Sequence, residues 1–216
     1  MVSPFSLQRS QSTSPSLSQT FGSSGRRGEQ GEALYARNLK NFASAVAQLH
    51  GSVGLTYRVD HGLSIPTSSR DGKRFSGDVD FGISTGNDLL LVDVKFWAPG
   101  LYWSVPIPRL EHHPSRTLAF RGLGPHVEGK WIASQNMALA TERYREALNP
   151  HGIQVSAVVV FIPTTSTRAS NVLFMRWPGG IPSVAMEESF DLIHDLLGAP
   201  FEVNPATISL LNRMKK

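Results

Sequence analysis

The sequence predicts an α/β domain built on a central mixed β-sheet flanked by helices. Three observations carry that expectation. Residues 78–95 alternate apolar and polar side chains on either side of a Gly-Asn dipeptide, the pattern of a half-buried hairpin. Residues 153–163, IQVSAVVVFIP, form a β-branched run that stops at proline, the mark of a buried central strand. Segments with a helical apolar stripe precede, separate and follow these strands.

Taken in order, the first 27 residues are rich in Ser and Gln, carry Arg9, Arg26 and Arg27, and contain no acid. Such a stretch has too little apolar surface to offset chain entropy and reads as a disordered basic tail. A transit peptide shares this composition, but no amphipathic pattern accompanies it here. A single domain is expected over 28–216. Leu34, Leu39, Phe42, Val46 and Leu49 space one helical stripe, and 54–60 reads as a short strand. Residues 65–74 form a turn-rich basic loop. After the hairpin, 97–130 reads as an irregular insertion, because Pro99, Pro106, Pro108, Pro114 and Pro125 interrupt it. Residues 131–149 should be helical, 171–177 a strand, and 184–197 an amphipathic helix ending at Gly198. A short helix is expected at 205–215.

Composition narrows the function classes. The chain has 216 residues, 40% hydrophobic and 18% charged, with a formal charge of +4 and a pI near 9.6. The mild basic surplus points weakly to a polyanionic partner. There is no cysteine, which excludes disulfides and thiolate chemistry and fits a reducing, cytoplasmic setting. No apolar run approaches the roughly 18 residues of a membrane span, so no membrane association is expected.

The hairpin holds acids where acids are disfavoured. A two-residue loop at Gly86-Asn87 makes paired residue numbers sum to 173, which sets Asp80 opposite Asp93 and Asp78 opposite Lys95. Asp78, Asp80, Asp93 and Lys95 then share one face, while Val79, Phe81, Ile83, Leu90, Val92 and Val94 form the core face. Like charges held that close are destabilising. Two carboxylates sharing a divalent cation would remove the repulsion. A solvated face carrying an Asp78–Lys95 ion pair answers the same pattern.

These residues resemble the PD-(D/E)xK nuclease superfamily, and within it the nuclease-related domain family (NERD). The likeness rests on Gly31-Glu32 opening the first helix, Val79-Asp80 on one strand, Asp93-Val94-Lys95 with Trp97 and Gly100 on the next, and Gln135 on the later helix. It covers about Gly28 to Phe161. Two features depart from the family: Asp93 stands where Glu is commoner, and 97–130 is long.

The resemblance implies a restriction-endonuclease-like core and Mg²⁺- or Mn²⁺-dependent hydrolysis of DNA. Asp80 and Asp93 would hold the metal with the Val94 carbonyl, and Glu32 would add a metal or water ligand. Lys95 would activate water or stabilise phosphate charge, and Gln135 would complete the polar site. Alternatively, Glu32 is an exposed first-turn acid favourable to the helix dipole, and Gln135 a surface amide. The rival reading of the whole is a non-catalytic DNA-binding or structural module on the same fold, including one belonging to a viral particle or mobile element.

Three further groups attract notice. Glu111, His112 and His113 are adjacent in a loop, where neighbouring histidines rarely share one ion. Arg109, Arg116, Arg121 and Lys130 interleave with Trp97, Tyr102 and Trp103, a pattern suited to a nucleic-acid strand or to a solvated loop with a small apolar anchor. Asp60-His61 reads as a turn with incidental charge.

Overall fold

The computed structural model describes residues 26–50, 55–67, 78–107, 116–122, 127–132, 136–165 and 170–216. Helix α1 (Arg26–Leu49) is followed by β1 (Arg58–Ser64), β2 (Asp78–Thr85), β3 (Asp88–Trp97), β4 (Leu101–Ile107), β5 (Arg116–Arg121) and β6 (Glu128–Ile132). Then come α2 (Asn136–Leu148), β7 (Gln154–Pro163), β8 (Asn171–Phe174), β9 (Ser183–Ala185), α3 (Met186–Leu197) and α4 (Pro205–Met214). The main sheet has the order β1-β2-β3-β7-β9, and a second sheet has the order β6-β5-β4-β8. The chain is therefore a mixed α/β protein with a five-stranded mixed sheet, a smaller sheet and flanking helices. No described helix is long and apolar enough to cross a membrane.

β3 is the centre of the main sheet. It pairs antiparallel with β2 and parallel with β7, the latter over its whole length from Asp88↔Gln154 to Trp97↔Pro163. A strand paired on both sides and covered on both faces reads as a continuous apolar run, and Leu89, Leu90, Leu91 and Val92 are all buried. Their alternation feeds two cores. Leu90, Val92 and Val94, with Phe81, Ile83, Val158, Val160 and Ile162, pack under Tyr35, Leu39, Ala43 and Val46 of α1 and Ile193 and Leu197 of α3. Leu89 and Leu91, with Val155, Val159 and Phe161, pack against Met137, Ala140, Tyr144 and Leu148 of α2 and Leu210 and Leu211 of α4. Tyr102 and Ala119 of the second sheet join this second core.

Several expectations are corrected. The segment 97–130 is not an irregular insertion: it carries β4, β5 and the start of β6. Its prolines misled because β8 pairs with β4 only from Leu101 to Trp103. Pro106 lies beyond that pairing, where a missing amide donor costs nothing. The helix expected over 131–149 starts at Asn136 and α1 starts at Arg26, while β9 was not anticipated. In α1 the buried stripe is Tyr35, Leu39, Ala43 and Val46, and Leu49, the last residue of the helix, is 83% exposed. Residues 1–25 of the expected tail lie outside the described residues, as do Arg109, Glu111, His112, His113 and Gln135.

The hairpin expectation holds in register from the turn to Phe81↔Val92; beyond that the ladder ends, so Asp80↔Asp93 and Asp78↔Lys95 are not strand partners, and one face also differs. Phe81↔Val92 through Thr85↔Asp88 keep the sum of 173, and Gly86 turns the chain at φ 49°, a conformation that costs glycine little. Val79, however, joins the second core, whereas Phe81 lies in the first. The reason lies one strand over. Gly62, between the pairs His61↔Phe81 and Leu63↔Val79, has φ 66°. His61 stacks on Phe81 with ring centroids 4.8 Å apart, while Leu63 packs with Val79 in the second core.

Helix α1 sits very close to β3 at Gly31. A Cβ placed there would lie 2.6 Å from Cβ of Phe96 and 3.0 Å from its Cγ. Neither atom is the far end of a flexible side chain, so contact is relieved only by moving α1 away from the sheet. Alanine would gain about 1 kcal/mol of helix propensity, but overpacking of this kind costs about 1–3 kcal/mol. Gly31→Ala is therefore expected to lower stability by up to about 2 kcal/mol, read as a lower urea midpoint. A higher midpoint would mean that α1 is not seated this tightly.

Candidate active site

Asp80, Asp93, Lys95 and Glu32 converge where β2 leaves β3. The β2–β3 ladder ends at Phe81↔Val92, yet β2 stays paired to β1 as far as Ser64↔Asp78. Past the end of the ladder, the Val94 amide donates to the Asp80 carboxyl (Oδ2, 2.6 Å). Asp80 thus caps a strand amide that would otherwise face into the sheet unpaired, a group that is costly to leave unsatisfied when buried. Asp93 and Lys95, one residue either side of Val94, form an ion pair.

The electrostatics follow from that placement. Burial pushes the Asp80 carboxyl up from its ordinary 3.8 to about 8, and the Asp93 charge adds to the rise; Lys95 and the Val94 amide act against it, and Glu32 raises it further. Burial alone would lower the Lys95 ammonium, but Asp93 first, then Asp80 and Glu32, outweigh it and hold Lys95 charged. Three carboxyl groups therefore bear on a single ammonium. The cluster relieves the imbalance by keeping Asp80 protonated at neutral pH.

Glu32 reaches the cluster from the N-terminal part of α1, just beyond the Gly31 contact. Its Oε2 lies 3.1 Å from Nε2 of His61. Asp60 and His61, whose sequence suggests a turn, both lie in β1. The Asp-His-Gly run resembles turn chemistry, and only the pairing with β2 shows the strand. Asp60 is buried and held by Arg58 (2.6 Å) and Lys215 (2.6 Å). Burial would raise its carboxyl, but the hydrogen bonds and charges of these two cations keep it below the usual carboxylate range. This ion pair set fastens α4 to the sheet edge.

Other expected placements differ. Asp78 does not pair with Lys95; it pairs with Lys216, and both side chains are about half exposed. Val94 meets the cluster through its amide. Trp97 and Tyr102 are buried core residues rather than exposed aromatics, and the Arg121 guanidinium donates to the Pro99 carbonyl (Nη2, 2.8 Å).

The chemistry of the cluster suits a hard divalent cation. Its donors are carboxylate oxygens, the ligands Mg²⁺ and Mn²⁺ prefer, and its excess of acid over base is what a doubly charged ion would offset. Among the described residues, no three His, Asp or Glu side chains gather tightly enough to hold a metal as they stand. Binding would require Asp80 to lose its proton and Lys95 to release Asp93. No family model, curated protein or solved structure matches the chain.

The raised Asp80 carboxyl has a stability consequence of definite sign. Between pH 3.8 and about 8 the folded state keeps a proton that the unfolded chain has lost. This contribution is complete below 3.8 and disappears as pH rises through about 8, so stability falls across that window. Asp80→Asn keeps an acceptor for Val94 but cannot ionise. In EDTA, its urea midpoint should fall less than that of the parent between pH 5 and pH 8.5, with the variant the more stable protein at pH 8.5. Parallel pH profiles would contradict the buried, neutral Asp80.

Proposed function

We propose that the chain is a divalent-metal-dependent nuclease that hydrolyses DNA phosphodiester bonds on a restriction-endonuclease-like core. The observation that carries this reading is the meeting of Asp80, Asp93 and Lys95 at the β2–β3 divergence, with Glu32 arriving from α1. The main-sheet order of helix, three antiparallel strands and then, after the second-sheet strands β4–β6, helix and parallel strand also supports it.

In this reading Asp80 and Asp93 hold Mg²⁺ or Mn²⁺, with the Val94 carbonyl and Glu32 as further ligands. When bound, the metal supplies Lewis-acid polarisation of a phosphoryl oxygen and a water of lowered pKa. Lys95, freed from Asp93, directs its ammonium at the reacting phosphate and stabilises the charge that develops there. His61 holds Glu32 in its orientation through the Nε2 contact.

A second reading, a non-catalytic DNA-binding or structural module, is favoured by one observation: no metal-ready group of three ligands exists among the described residues. Incubation of purified protein with plasmid and linear DNA, in Mg²⁺, Mn²⁺ or EDTA, separates the two. The nuclease reading expects cutting with metal and none with EDTA. Lys95→Ala should slow cleavage by about 10²–10³-fold, the usual cost of losing one charge-stabilising donor, and weaken DNA binding only modestly. Binding without cutting under every metal condition would assign the chain to the module.

The metal itself is tested through stability. Mn²⁺ should raise the melting temperature by mass action, and Asp93→Asn should reduce that shift. Equal shifts in parent and variant would place the ion elsewhere.

A further inference from the structure

Past the end of the β2–β3 ladder, the part of β2 that carries Asp80 has β1 as its one sheet neighbour among the described residues. Ser64↔Asp78 and Leu63↔Val79 pair there, while the last partners across to β3 are Phe81↔Val92. The placement of the acidic cluster therefore depends on what holds the outer side of β1. β1 is an edge strand of the main sheet, and the two residues that follow α4 lie along it. Lys215 bridges Leu63 antiparallel, and the Lys216 amide donates to the Gly62 carbonyl (3.3 Å).

The side chains of the same two residues reach both strands. The Lys215 ammonium lies 2.6 Å from the Asp60 carboxylate, which Arg58 shares at 2.6 Å. The Arg58 guanidinium also donates to Asn212 of α4 (Nη2 to Oδ1, 2.7 Å). Lys216 pairs with Asp78, two residues before Asp80. These attachments bracket the supports of the cluster. Asp60 and Gly62 flank His61, whose Nε2 meets Glu32 (3.1 Å), and Asp78 leads into Asp80 and its bond to the Val94 amide. Ser64, at the far end of β1, has an anchor of its own in the Tyr144 hydroxyl (2.9 Å). The two ion pairs differ in weight. Asp60 is 2% exposed, so removing one of its cations leaves a buried charge undercompensated. Lys216 and Asp78 are half exposed, and such a pair contributes little by itself.

We propose that Lys215 and Lys216 form a strap that positions the acidic cluster, fixing β1 on either side of His61 and β2 beside Asp80 so that Asp80 stays on the Val94 amide and Glu32 keeps its partner. The lysines act through the strands: their ammonium groups pair with Asp60 and Asp78, not with the cluster. They are positioning residues, and opening the strap loosens the cluster while the paired β3–β7 half of the sheet stays in place. The proposal rests on the nuclease reading for the cluster's purpose, metal binding. The strap's hold on Asp80 is separable from it.

Two readouts on the full, folded chain separate positioning from plain stabilisation, because neither follows the melting temperature while the protein stays folded. One is Mn²⁺ affinity by calorimetry, well below the melting temperature of every variant; the other is the Val94 amide resonance by ¹H–¹⁵N NMR in EDTA. Lys215→Met should weaken Mn²⁺ binding about tenfold or more, the usual cost of removing a support behind a metal ligand. It should also move the Val94 resonance upfield as the bond to Asp80 lengthens. The Val159 amide, which donates to the Pro182 carbonyl on the β9 side of the sheet (3.0 Å), should keep its resonance. Lys215→Arg should restore both readouts. Arg213→Met removes an equal charge from α4 without touching the strap, since that guanidinium donates to Ser209 (3.0 Å), and should change neither. Lys216→Met breaks only the half-exposed pair, so the protein folds, and Val94 should move the same way by less.

In a parent that binds Mn²⁺, either readout unchanged in Lys215→Met would overturn the strap. Equal effects of Arg213→Met would overturn it too, by assigning the change to bulk charge. A parent that binds no Mn²⁺ would sink the metal reading instead, and the Val94 resonance in EDTA would then decide the strap alone.

Discussion

The hydrogen bond from the Val94 amide to the Asp80 carboxyl organises the centre of this protein. Where β2 leaves β3, the next β3 amide that faces β2, that of Val94, must find another acceptor. Asp80 supplies it from the departing strand. That placement buries the carboxyl beside Asp93, and burial together with the like charge keeps it protonated near neutrality. One contact therefore joins a break in sheet pairing to a stored proton, and the proton marks where a divalent cation would gain the most by binding.

The remaining parts hold that contact in place. The full-length parallel pairing of β3 with β7 keeps β3 straight while β2 diverges. Gly62 turns the β1–β2 pair so that Phe81 and Val79 enter different cores, which leaves Asp80 at the crossing point. Gly31 lets α1 approach Phe96 closely enough for Glu32 to influence both Asp80 and Lys95. His61 steadies Glu32 from β1. The second sheet follows β3 directly through Ala98, Pro99 and Gly100.

Local pattern made much of this legible. The Gly86-Asn87 loop and the alternation around it were enough to set the β2–β3 register as far as Phe81↔Val92, and the β-branched run at 153–163 was enough to identify a buried central strand. What stayed hidden depended on partners distant in sequence. Asp-His-Gly at 60–62 has the composition of a turn, and only pairing with β2 makes it a strand. Pro106 argued against β4 because a single sequence does not show that β8 stops short of it. The lysine expected to pair with Asp78 instead closes on Asp93, since the divergence of β2 removes the cross-strand geometry on which the Asp78–Lys95 pair depended. Lys216, more than a hundred residues away in sequence, takes its place.

The central claim is that Asp80 is a protonated carboxyl poised to become a metal ligand. Calorimetric titration with Mn²⁺ at pH 7, in two buffers of different ionisation enthalpy, counts the protons exchanged as the ion binds. Ligands must be deprotonated to coordinate. The account predicts release of about one proton per bound ion, and loss of that release in Asp80→Asn. Mn²⁺ binding with no proton released, or with the same release in Asp80→Asn, would contradict it.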